Sequence, residues 1–195
     1  MAASMGVEPG PDGKPRCWWS LGSEEYVAYH DEEWGRPLHG EVALFERLTL
    51  EAFQSWLSWL TILRKRENFR RAFEGFEIET VAEYGPKDVE RLLNDAGIVR
   101  NRKKIDAAIT NAKAARELQA GGETLDELIW SFAPDSGSRP APKSGHDLAP
   151  VTEESKAMAK ELKRRGFVFV GPTTAYATMQ AAGLVNDHLA GCSFR

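Results

Sequence analysis

The sequence contains only two cysteines, Cys17 and Cys192, so it cannot form the disulfide framework that holds small secreted folds together. It has no apolar run near the roughly 20 residues that a membrane-crossing helix needs. Residues 1–13 lack the charged-then-apolar pattern of a secretory leader. The expectation is a cytoplasmic protein with no membrane contact, where free thiols or metal binding suit the cysteines better than a disulfide. An excess of positive charge is also missing, the formal net charge being -4. On the whole-chain average that counts against a nucleic-acid binder, so the distribution of charge must decide. No internal repeat is visible. What remains is a globular composition, 42% hydrophobic and 28% charged, in a chain long enough to bury a core without a metal's help. Its six tryptophans are the unusual feature.

Local signals predict an all-α fold with little or no sheet. Residues 1–14, rich in Gly, Pro and small polar types, read as a flexible tail ahead of one domain over 15–195 made of two helical lobes. Ser23 followed by Glu24 and Glu25 opens a short helix that ends near Gly35 and carries Tyr26, Tyr29 and His30. From Val42 through Leu44, Phe45, Leu48, Phe53, Leu57 and Leu60 to Leu63, helical spacing on more than one face predicts a central buried segment. Pro86 starts a helix that Gly97 stops, and an amphipathic helix resumes near Arg102, giving a helix-hairpin-helix at about 88–112. Thr124 and Glu127 form a capping box, and about 134–150 is a polar loop. A helix from Thr152 to Gly166, an extended run Phe167–Val170 and a helix from Pro172 to Gly183 complete the chain.

Three groups of residues carry chemistry. Cys17 and His30 stand near one end and His188 and Cys192, one helical turn apart, near the other. Two thiolates and two imidazoles suit tetrahedral zinc, and four protein ligands leave no open position, which makes such a site structural. The spacing alone equally allows two buried thiols and two ordinary histidines. Next, Trp18, Trp19, Tyr26, Tyr29 and Trp34 crowd the first third, while Glu51 interrupts an apolar run. A carboxylate there either reaches the surface or faces a pocket, and aromatic faces beside it would suit a flat cation. Finally, Arg64–Arg71 and Arg100–Lys104 concentrate positive charge. The hairpin near Gly97 offers backbone amides to a phosphate, although a solvated face explains many charge runs. Lys163–Arg165 closes a helix, as its dipole favours. His39 and His146 read as solvated.

Taken together, Tyr29–Gly35, Leu50–Trp59, Lys65–Phe69 and Gly183–Cys192 resemble the 3-methyladenine DNA glycosylase I family in a single register over about Arg16 to Cys192. The resemblance implies a helix-hairpin-helix glycosylase fold whose ends are joined by one structural Zn2+ on Cys17, His30, His188 and Cys192. It implies a base pocket in which Glu51 accepts from the adenine edge, Trp59 stacks, and Tyr29, Trp19 and Trp34 complete the walls. Leu57 falls near the gap left in the DNA and is the candidate wedge there, and Gly97, Arg100 and Lys103 are the candidate phosphate contacts. The implied activity is excision of 3-methyladenine from double-stranded DNA by a monomer, leaving an abasic site. A zinc-stabilised DNA-binding module without chemistry is the alternative. One departure concerns Trp56, which stands where the family has glycine; it bears on how closely the backbone approaches DNA and adds a second candidate intercalating ring. Glu117 and Asp126 are the acids nearest to a catalytic aspartate after the hairpin, and neither has a motif around it.

Overall fold

The computed structural model describes residues 5–135, 137 and 139–195. It is mostly helical. Helices α1 (Glu24–Glu32), α2 (Glu41–Gln54), α3 (Trp59–Ala72), α4 (Ile78–Ala82), α5 (Pro86–Asn94), α6 (Arg102–Ala120), α7 (Leu125–Trp130), α8 (Glu153–Arg164) and α9 (Pro172–Ala181) are accompanied by one short strand pair, β1 (Val7–Pro9) with β2 (Pro15–Cys17). Among the described residues no helix is long and apolar enough to cross a membrane.

The centre is α2. Leu44, Phe45, Leu48, Leu50 and Phe53 are fully buried there, and the helix packs against α3, α7 and α9. Burial on several faces matches the expected central segment, but the segment is not one helix. It breaks at Ser55–Ser58, where Trp56 takes a φ of 69°, and restarts as α3 with the Ser58 hydroxyl accepting from the Thr61 amide at 3.2 Å. Serine caps a helix start by satisfying one of its free amides, which outweighs the continuing apolar spacing. The expected pair of helices is present as α5 and α6, both packed on each other, with α6 also against α4. Asn101 caps α6 through the Lys104 amide, 3.2 Å away.

Two local expectations are corrected. Residues 7–14 are not a free tail: β1 pairs antiparallel with β2, Val7 opposite Cys17, and the first four residues lie outside the described ones. The cause is Arg16, which is 4% exposed and donates to both oxygens of Asp31 in α1 and to Asp12 in the hairpin turn. A buried guanidinium must keep such acceptors, so the turn is held on α1. Phe167–Val170 is irregular rather than extended, with Val168 held by the Asn111 side chain at both its amide (2.8 Å) and its carbonyl (3.1 Å). The polar loop, whose residues 136 and 138 lie outside the description, contains a single turn of 3-10 helix at Gly145–Asp147.

The carboxyl-terminal segment folds back through Gly183. Its φ is 74°, and a Cβ there would come within 2.6 Å of the Arg36 and Pro37 backbone, so only glycine allows this approach. That contact sets residues 184–192 beside the end of α1.

Candidate functional site

Two chain ends meet at a cluster of Cys17, His30, His188 and Cys192, whose ligand atoms all lie within 4.8 Å of one another. Cys17 comes from β2, His30 from the last turn of α1, and the other two from the segment after α9. Cys192 Sγ is 3.5 Å from His30 Nε2 and 3.5 Å from His188 Nδ1, the two nitrogens are 3.1 Å apart, and Cys17 Sγ is 3.9 Å from His188 Nδ1. The edges of a zinc tetrahedron with two sulfur and two nitrogen ligands are about 3.3 to 3.8 Å, so the donor set fits a metal ion. The outer contacts fit as well. His30 Nδ1 donates to Asp31 at 2.7 Å and His188 Nε2 donates to the Trp34 carbonyl at 2.9 Å, which leaves the inward nitrogen of each ring as a lone pair. Burial lowers both imidazole pKa values, His188 to about 4, keeping the rings neutral as a ligand must be. The amides of Leu189 and Phe194 point at Cys17 and Cys192 sulfur, both at 3.4 Å.

The cluster adjoins a pocket of about 260 Å³ lined by Trp18, Trp19, Tyr26, Tyr29, Trp34, Glu51, Gln54, Trp59, Leu148, Ala177 and Gln180. All five residues that the sequence pointed to, Glu51, Tyr29, Trp59, Trp19 and Trp34, are therefore brought together. Tyr29 and Trp59 face each other at 5.3 Å, and Trp19 meets Trp34 edge-on at 4.9 Å. Glu51 is 5% exposed on α2 and accepts no hydrogen bond from the described residues. Burial raises its pKa to about 7, with Arg47 pulling the other way. Arg47 is itself buried, donating to the Tyr29 hydroxyl at 3.2 Å and lying 5.3 Å from the Trp59 ring. The Trp59 indole nitrogen is buried without an acceptor. A carboxylate without donors, an indole without an acceptor and flat apolar walls form a slot for a planar polar ligand that carries positive charge.

The Cys/His cluster lies against this slot. Trp34 lines the pocket, gives its carbonyl to His188 and stacks on His30 at 6.3 Å, so the two sites share a wall.

The basic runs divide sharply. In α3, Arg66 binds Glu33, Arg70 binds Glu46 and Glu67, and Lys65 donates to the Ala96 and Gly97 carbonyls. Arg64, which pairs with Glu25, Arg66 and Arg70 are thus neutralised within the protein, whereas Lys65 and Arg71 have no acidic partner among the described residues. Arg100, Arg102 and Lys103 are exposed and have no acidic partner among the described residues. Lys104 differs again, being 6% exposed and donating to the carbonyls of Phe53 (2.8 Å) and Ser55 (2.7 Å). The Gly97 amide is engaged with Asp95 Oδ1 at 2.7 Å, so it is not free for a phosphate as expected; a Cβ there would lie 3.1 Å from Asn68, which explains the glycine by packing. Leu57 is 40% exposed at the α2–α3 turn and does not line the pocket. His39 is exposed but paired to Asp126 and stacked on Trp130, and neither Asp126 nor Glu117 reaches the pocket.

Lys104→Met keeps the aliphatic stem and leaves two carbonyls without their donor. At about 1 to 3 kcal/mol per unsatisfied buried group, a loss of at least 2 kcal/mol is expected in urea unfolding. A loss below 0.5 kcal/mol would show that the clamp is not structural.

Sequence reasoning missed Gln54, Gln180, Ala177 and Leu148 as lining residues. Gln54 lies one turn beyond Glu51 and was within reach of helical spacing. Leu148 belongs to the polar loop, and its neighbour Gly145 sits so close to Trp18 that a Cβ would fall 2.2 Å from the ring. No local pattern announces that contact.

Comparison with known proteins agrees with this geometry. A family described as methyladenine glycosylase matches residues 18–195. The chain is 45% identical over 177 residues to DNA-3-methyladenine glycosylase 1 of Escherichia coli (strain K12), covering 91% of this chain and 95% of that one. It is 43% identical over 180 residues to DNA-3-methyladenine glycosylase of Haemophilus influenzae (strain ATCC 51907 / DSM 11121 / KW20 / Rd), with 91% and 96% covered. A crystal structure of 3-methyladenine DNA glycosylase I superposes with a TM-score of 0.88 at 45% identity, over 91% of this chain and 98% of the other.

Proposed function

Because the chain belongs to the methyladenine glycosylase family, we propose that it excises 3-methyladenine from alkylated double-stranded DNA and leaves an abasic site. The observation that carries this reading is Glu51, a buried carboxylate with no internal donor at the floor of an aromatic slot. Methylation at N3 gives adenine a positive charge within DNA and weakens its bond to the sugar, so the departing base leaves neutral. The protein then needs little acid catalysis. It must extrude the nucleotide, cover it and hold it where water can reach the sugar carbon.

In this reading Glu51 accepts from the base edge, Trp59 stacks on its face, and Tyr29, held by Arg47, fixes the slot's width. Trp19 and Trp34 close the wall on the metal side. Zn2+ on Cys17, His30, His188 and Cys192 would supply a cross-link between the chain ends, with no open position for substrate. The α5–α6 pair serves as the helix-hairpin-helix that grips the backbone. Arg100 and Lys103 meet phosphates there, together with amides of the first turn of α6 in place of Gly97's.

Reversing both charges, Arg100→Glu with Lys103→Glu, should weaken binding to every duplex sequence and flatten the slope of log K against log salt by about 2, since each phosphate contact contributes close to one unit. An unchanged slope would move the footprint elsewhere.

The function is tested by exposing methylated duplex DNA to the purified protein and then to alkali. Alkali-labile sites should accumulate while the strands stay uncut beforehand, since no lysine lines the slot. DNA binding without such sites would leave the zinc-stabilised binding module as the reading.

A further inference from the structure

We infer that Trp56 is a wedge that enters the duplex and occupies the gap left by an extruded base, an inference that rests on the excision reading above. Trp56 is 100% exposed at the tip of the α2–α3 turn, and Leu57 beside it is 40% exposed. An indole that touches nothing contributes nothing to the core and leaves a large apolar surface in water, so its use lies outside the chain. Its backbone has a φ of 69°, the left-handed region that glycine favours and a bulky side chain rarely adopts. Strain of this kind persists where the surroundings impose it.

Those surroundings are rigid. Ahead of Trp56, Lys104 of α6 holds the carbonyls of Phe53 and Ser55, and the Leu57 amide closes onto the Gln54 carbonyl at 2.6 Å. Behind it, Ser58 caps α3, and α3 is tied to the α5–α6 turn by Lys65 and by Asn68, which donates to the Gly97 carbonyl at 3.2 Å. The turn is thus bolted at both ends to the element that carries the free cations Arg100 and Lys103. It is also the rim of the slot, since Glu51 and Gln54 precede Trp56 and Trp59 follows it. A ring held at the mouth of a base pocket, and fixed relative to a phosphate grip, has the placement of an intercalating side chain. The indole then stacks on the bases that flank the gap and restores the stacking that the extruded base no longer gives them.

The test uses the full chain and its Trp56→Gly and Trp56→Phe variants. The probe is a duplex with one stable abasic analogue flanked by 2-aminopurine, whose fluorescence reports stacking. Glycine suits a φ of 69°, so Trp56→Gly is expected to fold at least as stably as the parent. It should bind the gapped duplex about tenfold more weakly, lose the 2-aminopurine response, and slow excision from duplex more than from single-stranded methylated DNA. Trp56→Phe should recover most of the response. Affinity for free 3-methyladenine should stay at the parent's value, because Trp56 does not line the slot. A Trp56→Gly protein that matches the parent on the gapped duplex, in affinity and in fluorescence, overturns the wedge while the parent's excision leaves the functional reading standing. Failure of the parent itself to release base would instead reject that reading.

Discussion

Glu51→Gln is expected to weaken binding of 3-methyladenine tenfold or more and to slow excision, yet to leave measurable activity and yield a more stable protein at neutral pH. Glutamine keeps the shape and one acceptor oxygen but loses the charge. A hydrogen bond to a charged group contributes about 1.5 to 3 kcal/mol, so its loss lowers affinity by roughly 10- to 150-fold. Activity survives because the cationic base already departs readily, with Glu51 reading it rather than protonating it. The stability gain comes from the same burial. The pKa of Glu51 is raised from 4.5 to about 7 by desolvation, only partly offset by Arg47. The folded state therefore holds a proton that the unfolded chain releases between those values. Linkage makes this group's contribution favourable at acid pH and progressively lost as pH rises through the interval. At about 1.36 kcal/mol per pKa unit, ionising Glu51 costs up to about 3 kcal/mol above pH 7, and glutamine avoids it. Recognition has the opposite trend, since the cationic nucleobase needs the ionised carboxylate and excision should fall as pH drops below about 7. Thermal melts and single-turnover rates across pH 5 to 9 check both signs. A variant that binds the base normally but releases none would make Glu51 an indispensable proton-transfer group.

The second large effect is expected at the cluster of Cys17, His30, His188 and Cys192. Elemental analysis should find one zinc per chain. Chelation, or Cys192→Ser, should lower the melting midpoint by about 10 °C or more, taking a loss of several kcal/mol and a shift of roughly 2 to 4 °C per kcal/mol for a chain of this size. Loosening His188 also frees the Trp34 carbonyl, and loosening His30 frees the Trp34 ring stacked on it, so affinity for free 3-methyladenine should fall in the surviving folded protein. Unaltered melting, with both thiols open to titration in fresh protein, would remove the metal from the account. Loss of stability with full base affinity would show that the shared wall holds without it.

The sequence revealed residues whose chemistry conflicts with their surroundings. Glu51 in an apolar run, paired His and Cys at opposite ends, and tryptophans crowded into one third could each be singled out, and the structure brings them together. It concealed what depends on distant partners. The sign of a basic run does not say which of its cations acids elsewhere neutralise, as Glu33 and Glu46 do for Arg66 and Arg70 of α3, nor that Lys104 turns inward to two carbonyls. Residues 7–14 looked like a tail because Arg16's ion pair with Asp31 spans fifteen positions. Apolar spacing ran unbroken from Val42 to Leu63, so the turn at Trp56, which gives the slot its rim, had no periodic signature.

The central claim, that this slot takes and releases a methylated adenine, is tested most directly by identifying the base freed from methylated duplex DNA by mass spectrometry. The account predicts free 3-methyladenine, formed in proportion to protein and suppressed by Trp59→Ala. Saturable binding to that DNA with no free 3-methyladenine above the protein-free control would contradict it.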